Sequence, residues 1–223
     1  MRPFDDPSDI LGRTRAVDRL LSYVRYDTQA DETSETCPST AKQLELGRRL
    51  VTELTELGLH GVGEDAPSMD ENGYVVAELP GNAPGRIGLC AHMDTAPQYT
   101  GTGVNPQVRE GYDGGPIDVG HGIVIDPADT PELLECVGDT LITTDGSTLL
   151  GADDKAGIAG IMGALEVLTQ EPDLPRPTIR VCFNPDEEIG RGADKFPLER
   201  FDCPVAFTID GGFTGEISVE TFS

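Results

Sequence analysis

Four turns in this chain carry acidic or imidazole side chains directly after a strand-like run or at the start of a helix. That arrangement limits the fold more than any other feature of the sequence. Arg86 to Ala91 reads as a buried strand closing on His92-Met-Asp-Thr. Thr178 to Phe183 closes on Asn184-Pro-Asp-Glu-Glu, and Val205 to Ile209 on Asp210-Gly-Gly. Gly151-Ala-Asp-Asp-Lys opens a helix in which Ile158, Ile161, Met162, Leu165 and Leu168 recur on one side. Strands and helices in this order imply an α/β sheet with helices on both faces. The charged turns then share the edge where ligands gather in open α/β sheets.

The rest of the chain is read in the same way. Asp9 to about Tyr26 is expected to be helical, from the spacing of Val17, Leu20, Leu21 and Val24. Thr40-Ala-Lys-Gln43 resembles a capping box opening a second helix, with Gly58 as its stop. Tyr74 to Leu79 reads as a strand ended by Pro80-Gly81. The glycine-rich stretch from Pro97 to about Glu135 is expected to be a long loop. Thr140–Thr144 and Thr148–Leu150 read as a short strand pair around Asp145-Gly146, and Glu216–Phe222 as the start of a last strand.

The 223 residues carry 40 acidic and 16 basic side chains, a formal net charge of -24. Such a surface repels phosphate backbones and anionic lipid, which argues against nucleic-acid and membrane partners. The five cysteines are odd in number and lack C-x-x-C spacing, so neither a disulfide framework nor a thiolate zinc cage is indicated. Cys90 and Cys182 fall in apolar runs and read as core. No signal pattern precedes residue 10 and no apolar run reaches membrane-spanning length. The expected location is therefore cytoplasmic.

Each candidate residue has an ordinary reading beside a chemical one. Asp94 lies two residues after His92, so in extended chain both point to one side. Asp94 can hold one ring nitrogen while the other meets a cation, or the pair is a core histidine with a turn aspartate. Asp153 and Asp154 can cap their helix, or bridge two cations. Asp186-Glu187-Glu188 can be a solvated turn, or a general base beside a metal ligand. Asp210-Gly-Gly can be a plain turn. Taken together on one sheet edge, they offer one imidazole and several carboxylates, the nitrogen and oxygen set that suits zinc. No cationic network in the sequence is evident to neutralise them.

His92-Met-Asp-Thr, Leu150-Gly-Ala-Asp-Asp-Lys-Ala-Gly, Asn184-Pro-Asp-Glu-Glu-Ile-Gly-Arg-Gly and Thr208-Ile-Asp-Gly-Gly resemble the peptidase T family of two-zinc exopeptidases. Thr140-Leu-Ile-Thr-Thr-Asp-Gly, Gly103-Val-Asn-Pro-Gln and Tyr112-Asp-Gly-Gly resemble it too, so the likeness runs through nearly the whole chain. The resemblance implies a three-layer α/β/α zinc-exopeptidase-like catalytic domain and removal of the N-terminal residue from tripeptides. It implies His92 and Asp210 on one zinc, Asp153 bridging two, Glu188 on the second, Glu187 as general base and Asp94 orienting His92. The Asp153–Asp154 peptide is expected to be cis.

The family also has a further histidine ligand and an inserted lid or dimerisation domain. Neither His60 nor His121 matches that ligand. Residues 1–223 are accordingly read as the N-terminal part of the catalytic domain, with weak or absent activity alone and a dimer only in a full-length form. Two alternatives are carried: a related zinc carboxypeptidase or deacylase, and a non-catalytic remnant that binds metal or a partner.

Overall fold

A computed structural model describes residues 12–212 and residue 217. Its centre is a mixed sheet of five strands: β1 (Ser68–Met69), β2 (Val75–Leu79), β3 (Arg86–His92), β8 (Thr178–Asn184) and β9 (Ala206–Thr208). They lie in the order β1-β2-β8-β3-β9. β2 runs antiparallel to β8, while β8, β3 and β9 are parallel.

Side-chain alternation along the strands divides the core. Val75, Ala77 and Leu79 of β2 join Ile179, Val181 and Phe183 of β8 on one face. Three helices cover that face: α1 (Ala16–Tyr23), α2 (Gln43–Glu56) and α3 (Ala152–Gln170). Their Leu46, Leu50, Ile158, Met162 and Leu165 are all inaccessible to solvent. Val76 and Cys182 point to the other face, where Phe201 of the short helix α4 (Leu198–Phe201) covers them with Tyr74 and Phe196. Helices thus flank the sheet on both sides, one layer deep and the other thin. Among the described residues, no helix is long and apolar enough to cross a membrane.

Several sequence expectations need correction. The first helix is continuous only from Ala16 in the described residues, because the Arg15 N–H turns aside to Glu166 Oε2 at 3.0 Å; Asp9 to Leu11 lie outside them. Thr40 and Gln43 form no capping box: Gln43 already belongs to α2, and its side-chain amide spans Thr40 Oγ1 and Asp186 Oδ1 instead. The segment 97–135 is not one loop. It holds β4 (Gln107–Arg109), a hairpin of β5 (Ile117–Gly120) and β6 (Ile123–Ile125), and a 3-10 turn at Pro131–Cys136.

Nor do 140–144 and 148–150 pair. β7 (Leu141–Thr143) pairs with β4, since the Asp145 carboxylate captures the Ser147 N–H and bends the chain away. Leu149 then bonds to the Thr100 carbonyl at 3.1 Å. The strand expected from Glu216 to Phe222 falls outside the described residues apart from Ile217.

Where α1, α2 and α3 meet, Arg19 lies buried between two carboxylates: 3.0 Å from Glu53 Oε2 and 2.6 Å from Glu166 Oε2. Tyr23 donates its hydroxyl to Glu53 at 2.9 Å. Truncating one member strands the others without water. Glu53→Ala is expected to cost about 3–5 kcal/mol in urea unfolding, the range for breaking a buried ion pair.

A second constraint is the close approach of α3 to the segment after β9. A Cβ on Gly157 would collide with the Ile209 carbonyl oxygen and the Asp154 carboxylate, whereas one on Gly160 of the same helix meets nothing. Gly157→Ala is therefore expected to destabilise by about 1–3 kcal/mol. Gly160→Ala is expected to stabilise by up to about 1 kcal/mol. Urea midpoints of the two variants against the parent check both signs.

Candidate metal centre

The in-register pairing of the parallel strands brings their C-terminal ends to one place. His92 stands opposite Asn184, and Cys90 opposite Thr208. The turns that follow β3, β8 and β9 therefore begin side by side, and the start of α3 rises beside them. His92, Asp153 and Asp210 each present a ligand atom there, all within 4.8 Å of one another.

His92 is the hub of this group. Its Nε2 lies 2.9 Å from Asp153 Oδ1, and 3.8 Å from both Glu187 Oε2 and Asp210 Oδ2. The ring is 2% exposed, whereas the Asp153 side chain is 65% exposed. The Nδ1 atom is 3.1 Å from the Asp94 carbonyl oxygen and 3.4 Å from its Oδ1. Asp94 thus holds the ring largely through its main chain. Its carboxylate also braces the neighbouring turn, accepting the N–H groups of Glu187 and Glu188, both at 3.0 Å.

Asp153 and Asp154 divide the two readings between them. Asp154 is buried and caps the helix: Oδ1 accepts the Gly157 N–H and Oδ2 accepts the His92 N–H, both at 3.1 Å. Asp153 precedes the regular helical turns, with ψ of 109°, and its side chain enters the cluster. The peptide between them is cis. A cleft of about 370 Å³ opens along this wall, lined also by Gly157, Ile209 and Gly211.

The glutamates stand apart from the three ligand atoms. Glu187 reaches the rim at 3.8 Å from His92, while Glu188 is outside the group that converges within 4.8 Å. Four of the expected site residues, His92, Asp153, Asp210 and Glu187, thus face one another. Asp94 backs them, and Glu188 flanks them.

The charges conflict. Burial lowers the affinity of His92 for a proton, but Asp94, Asp154 and Asp210 outweigh it and push its pKa up to about 10. Burial raises Asp154 to about 8, against the pull of His92. Glu187 is raised by burial and then, against His92, by Asp210; Glu188 is raised by burial and then by Asp153. Among the described residues, no Arg or Lys forms an ion pair with Asp153, Asp210, Glu187 or Glu188. Lys155, next to the pair, turns inward to the Tyr26 carbonyl at 2.8 Å. Crowded carboxylates around one imidazole, with no Arg or Lys paired to them among the described residues, fit a bound divalent metal, whose charge would offset theirs.

Sequence reasoning did not single out Lys155, and it offered capping for Asp153 and Asp154 alike without separating the two. A lysine directly after two aspartates looks like an exposed ion-pair partner, and only the packing of α3 against β3 turns it inward.

The sequence pattern of Peptidase family M20/M25/M40 matches residues 144–219. Peptidase T of Clostridium acetobutylicum is 50% identical over 212 residues, covering 93% of this chain and 51% of that relative. Peptidase T of Geobacillus kaustophilus is likewise 50% identical over 212 residues, covering 93% of this chain and 50% of its own length. Among solved structures, the fold is similar to aminopeptidase PepT from Bacillus cereus, with a TM-score of 0.61 at 24% identity, over 88% of this chain and 43% of that one. A tripeptidase from Staphylococcus aureus gives a TM-score of 0.60 at 25% identity, over 89% of this chain and 43% of that one. The chain spans about half the length of the curated relatives it matches. Along nearly all of its own residues, it resembles peptidase T.

Proposed function

We propose that residues 1–223 form the N-terminal part of the catalytic domain of a two-zinc aminopeptidase that releases the first residue of tripeptides. The observation carrying this reading is the convergence of His92, Asp153 and Asp210 within 4.8 Å, with Glu187 at the rim, in a chain 50% identical to a peptidase T over 212 residues. In this reading His92 and Asp210 would hold one zinc, Glu188 would hold a second, and Asp153 would be shared between them. Five free cysteines suit a reducing, cytoplasmic compartment.

Bound zinc supplies Lewis acidity, polarising a carbonyl and making a water acidic enough to ionise near neutral pH. The protein groups do the rest. Asp94 keeps the His92 ring oriented through Nδ1, leaving Nε2 for the cation. Glu187, half exposed and with a raised pKa, accepts the proton of the attacking water and returns it to the departing amine. Asp154 holds the start of α3 against β3, so that Asp153 stays over the imidazole. A short peptide with a free N-terminus is the substrate class this reading takes; N-acylated amino acids would point to the related deacylases.

A non-catalytic metal-binding role is the second reading. It is favoured by the position of Glu188 outside the three converging ligand atoms. Calorimetric zinc titration separates the possibilities. His92→Ala is expected to abolish the tightest binding, and Glu187→Ala to leave it intact. Where the zinc-loaded chain hydrolyses a tripeptide, Glu187→Ala should lower the rate by about 100- to 10,000-fold. Zinc binding that survives His92→Ala unchanged would refute the proposed centre. Tight zinc binding with no hydrolysis of any tripeptide would favour the second reading.

A further inference from the structure

Asp186 stands one residue ahead of the two glutamates. In the sequence it is the first acid of an apparent surface turn, yet its exposure is 0% and its φ is 59°. A left-handed conformation is uncommon for a residue with a side chain. Each of its polar groups is engaged. The N–H donates to Gln43 Oε1 at 3.3 Å, and the carbonyl accepts the Arg191 N–H at 2.9 Å. The carboxylate accepts the Ser39 N–H at 2.7 Å, the Ser39 hydroxyl at 2.5 Å and the Gln43 amide at 2.7 Å.

Gln43 therefore grips Asp186 from both sides, through its oxygen and its nitrogen. Ser39 and Gln43 belong to the entry of α2, which packs on β1 and β2. Among the described residues, no Arg or Lys pairs with this buried carboxylate; hydrogen-bond donors alone compensate its burial. Immediately downstream, the Glu187 and Glu188 N–H groups are held by Asp94. The turn is thus clamped at both ends, to α2 by Asp186 and to β3 by Asp94.

We propose that Asp186 is a positioning residue for the glutamate pair: by fastening the backbone of the turn to the entry of α2, it sets where Glu188, and with it Glu187, stands relative to Asp153 and His92. The inference rests on the metal-centre reading above.

The test is competitive zinc titration of the full chain against a chromophoric chelator. Asp186→Asn is expected to weaken zinc binding by about 10- to 100-fold, as outer-sphere changes do at metal sites. Ser39→Ala, which removes one donor and spares the carboxylate, should weaken it less. In a Glu188→Ala background, Asp186→Asn should add little, because its effect travels through Glu188. Leu165→Ala, a core truncation in α3, should lower the urea midpoint while leaving zinc affinity at the parent value.

Parent-like affinity in Asp186→Asn, or an equal loss with and without Glu188, overturns the inference alone. If Asp186→Asn does not fold, parent-like affinity in Ser39→Ala overturns it. A parent chain that binds no zinc removes the metal-centre reading and this inference with it.

Discussion

In-register parallel pairing of β3 with β8 and β9 governs where every charged group of the cluster falls. Parallel strands of matched register end at the same level, so the turns beyond His92, Asn184 and Thr208 start as neighbours in space although far apart in sequence. The crossover helix α3 packs on β3 and delivers its first turn to the same edge. Gly157 allows the closest part of that approach, since any side chain there would strike the Ile209 carbonyl, one residue before Asp210. Backbone geometry thus brings the four segments together before any ligand is considered.

The acidic side chains at this edge serve two different ends. Asp94, Asp154 and Asp186 are buried, and each accepts main-chain N–H groups from a segment other than its own. They act as braces, exchanging the hydration of a carboxylate for several charge-assisted hydrogen bonds. Asp153, Glu187, Glu188 and Asp210 remain partly open to solvent, and no Lys or Arg partner is found for them among the described residues. Burial first, and then repulsion from neighbouring carboxylates, raises the glutamate pKa values and makes the region a poor place for negative charge unless a cation is present. Each acidic run therefore contains both kinds: Asp154 braces while Asp153 projects, and Asp186 braces while Glu187 and Glu188 project.

Much of this was legible in the sequence because period and punctuation agree there. Apolar runs closed by turn residues mark β2, β3 and β8, and the regular spacing of Ile158, Ile161, Met162 and Leu165 marks the crossover helix. The elements that went unread are those whose partners are remote or local and polar. β7 pairs with β4 instead of folding back on 148–150, because one Asp145 side chain captures the turn. The small strands between residues 107 and 125 are only three or four residues long, too short for a period to register. At the site, each motif showed by residue type which side chains could bind a cation or carry a proton. The division of labour between adjacent acids was not readable, because burial and hydrogen-bond donors decide it, and the decisive donors, Ser39 and Gln43 for Asp186 and the His92 N–H for Asp154, lie far along the chain.

Zinc K-edge absorption on the chain loaded with one equivalent of metal tests the convergence most directly. The predicted spectrum has a shell of nitrogen and oxygen at about 2.0–2.2 Å, with imidazole scattering that disappears in His92→Ala and oxygen scattering that weakens in Asp153→Asn. Sulfur at about 2.3 Å, or a shell that neither substitution changes, would contradict the convergence of His92 and Asp153 on one cation.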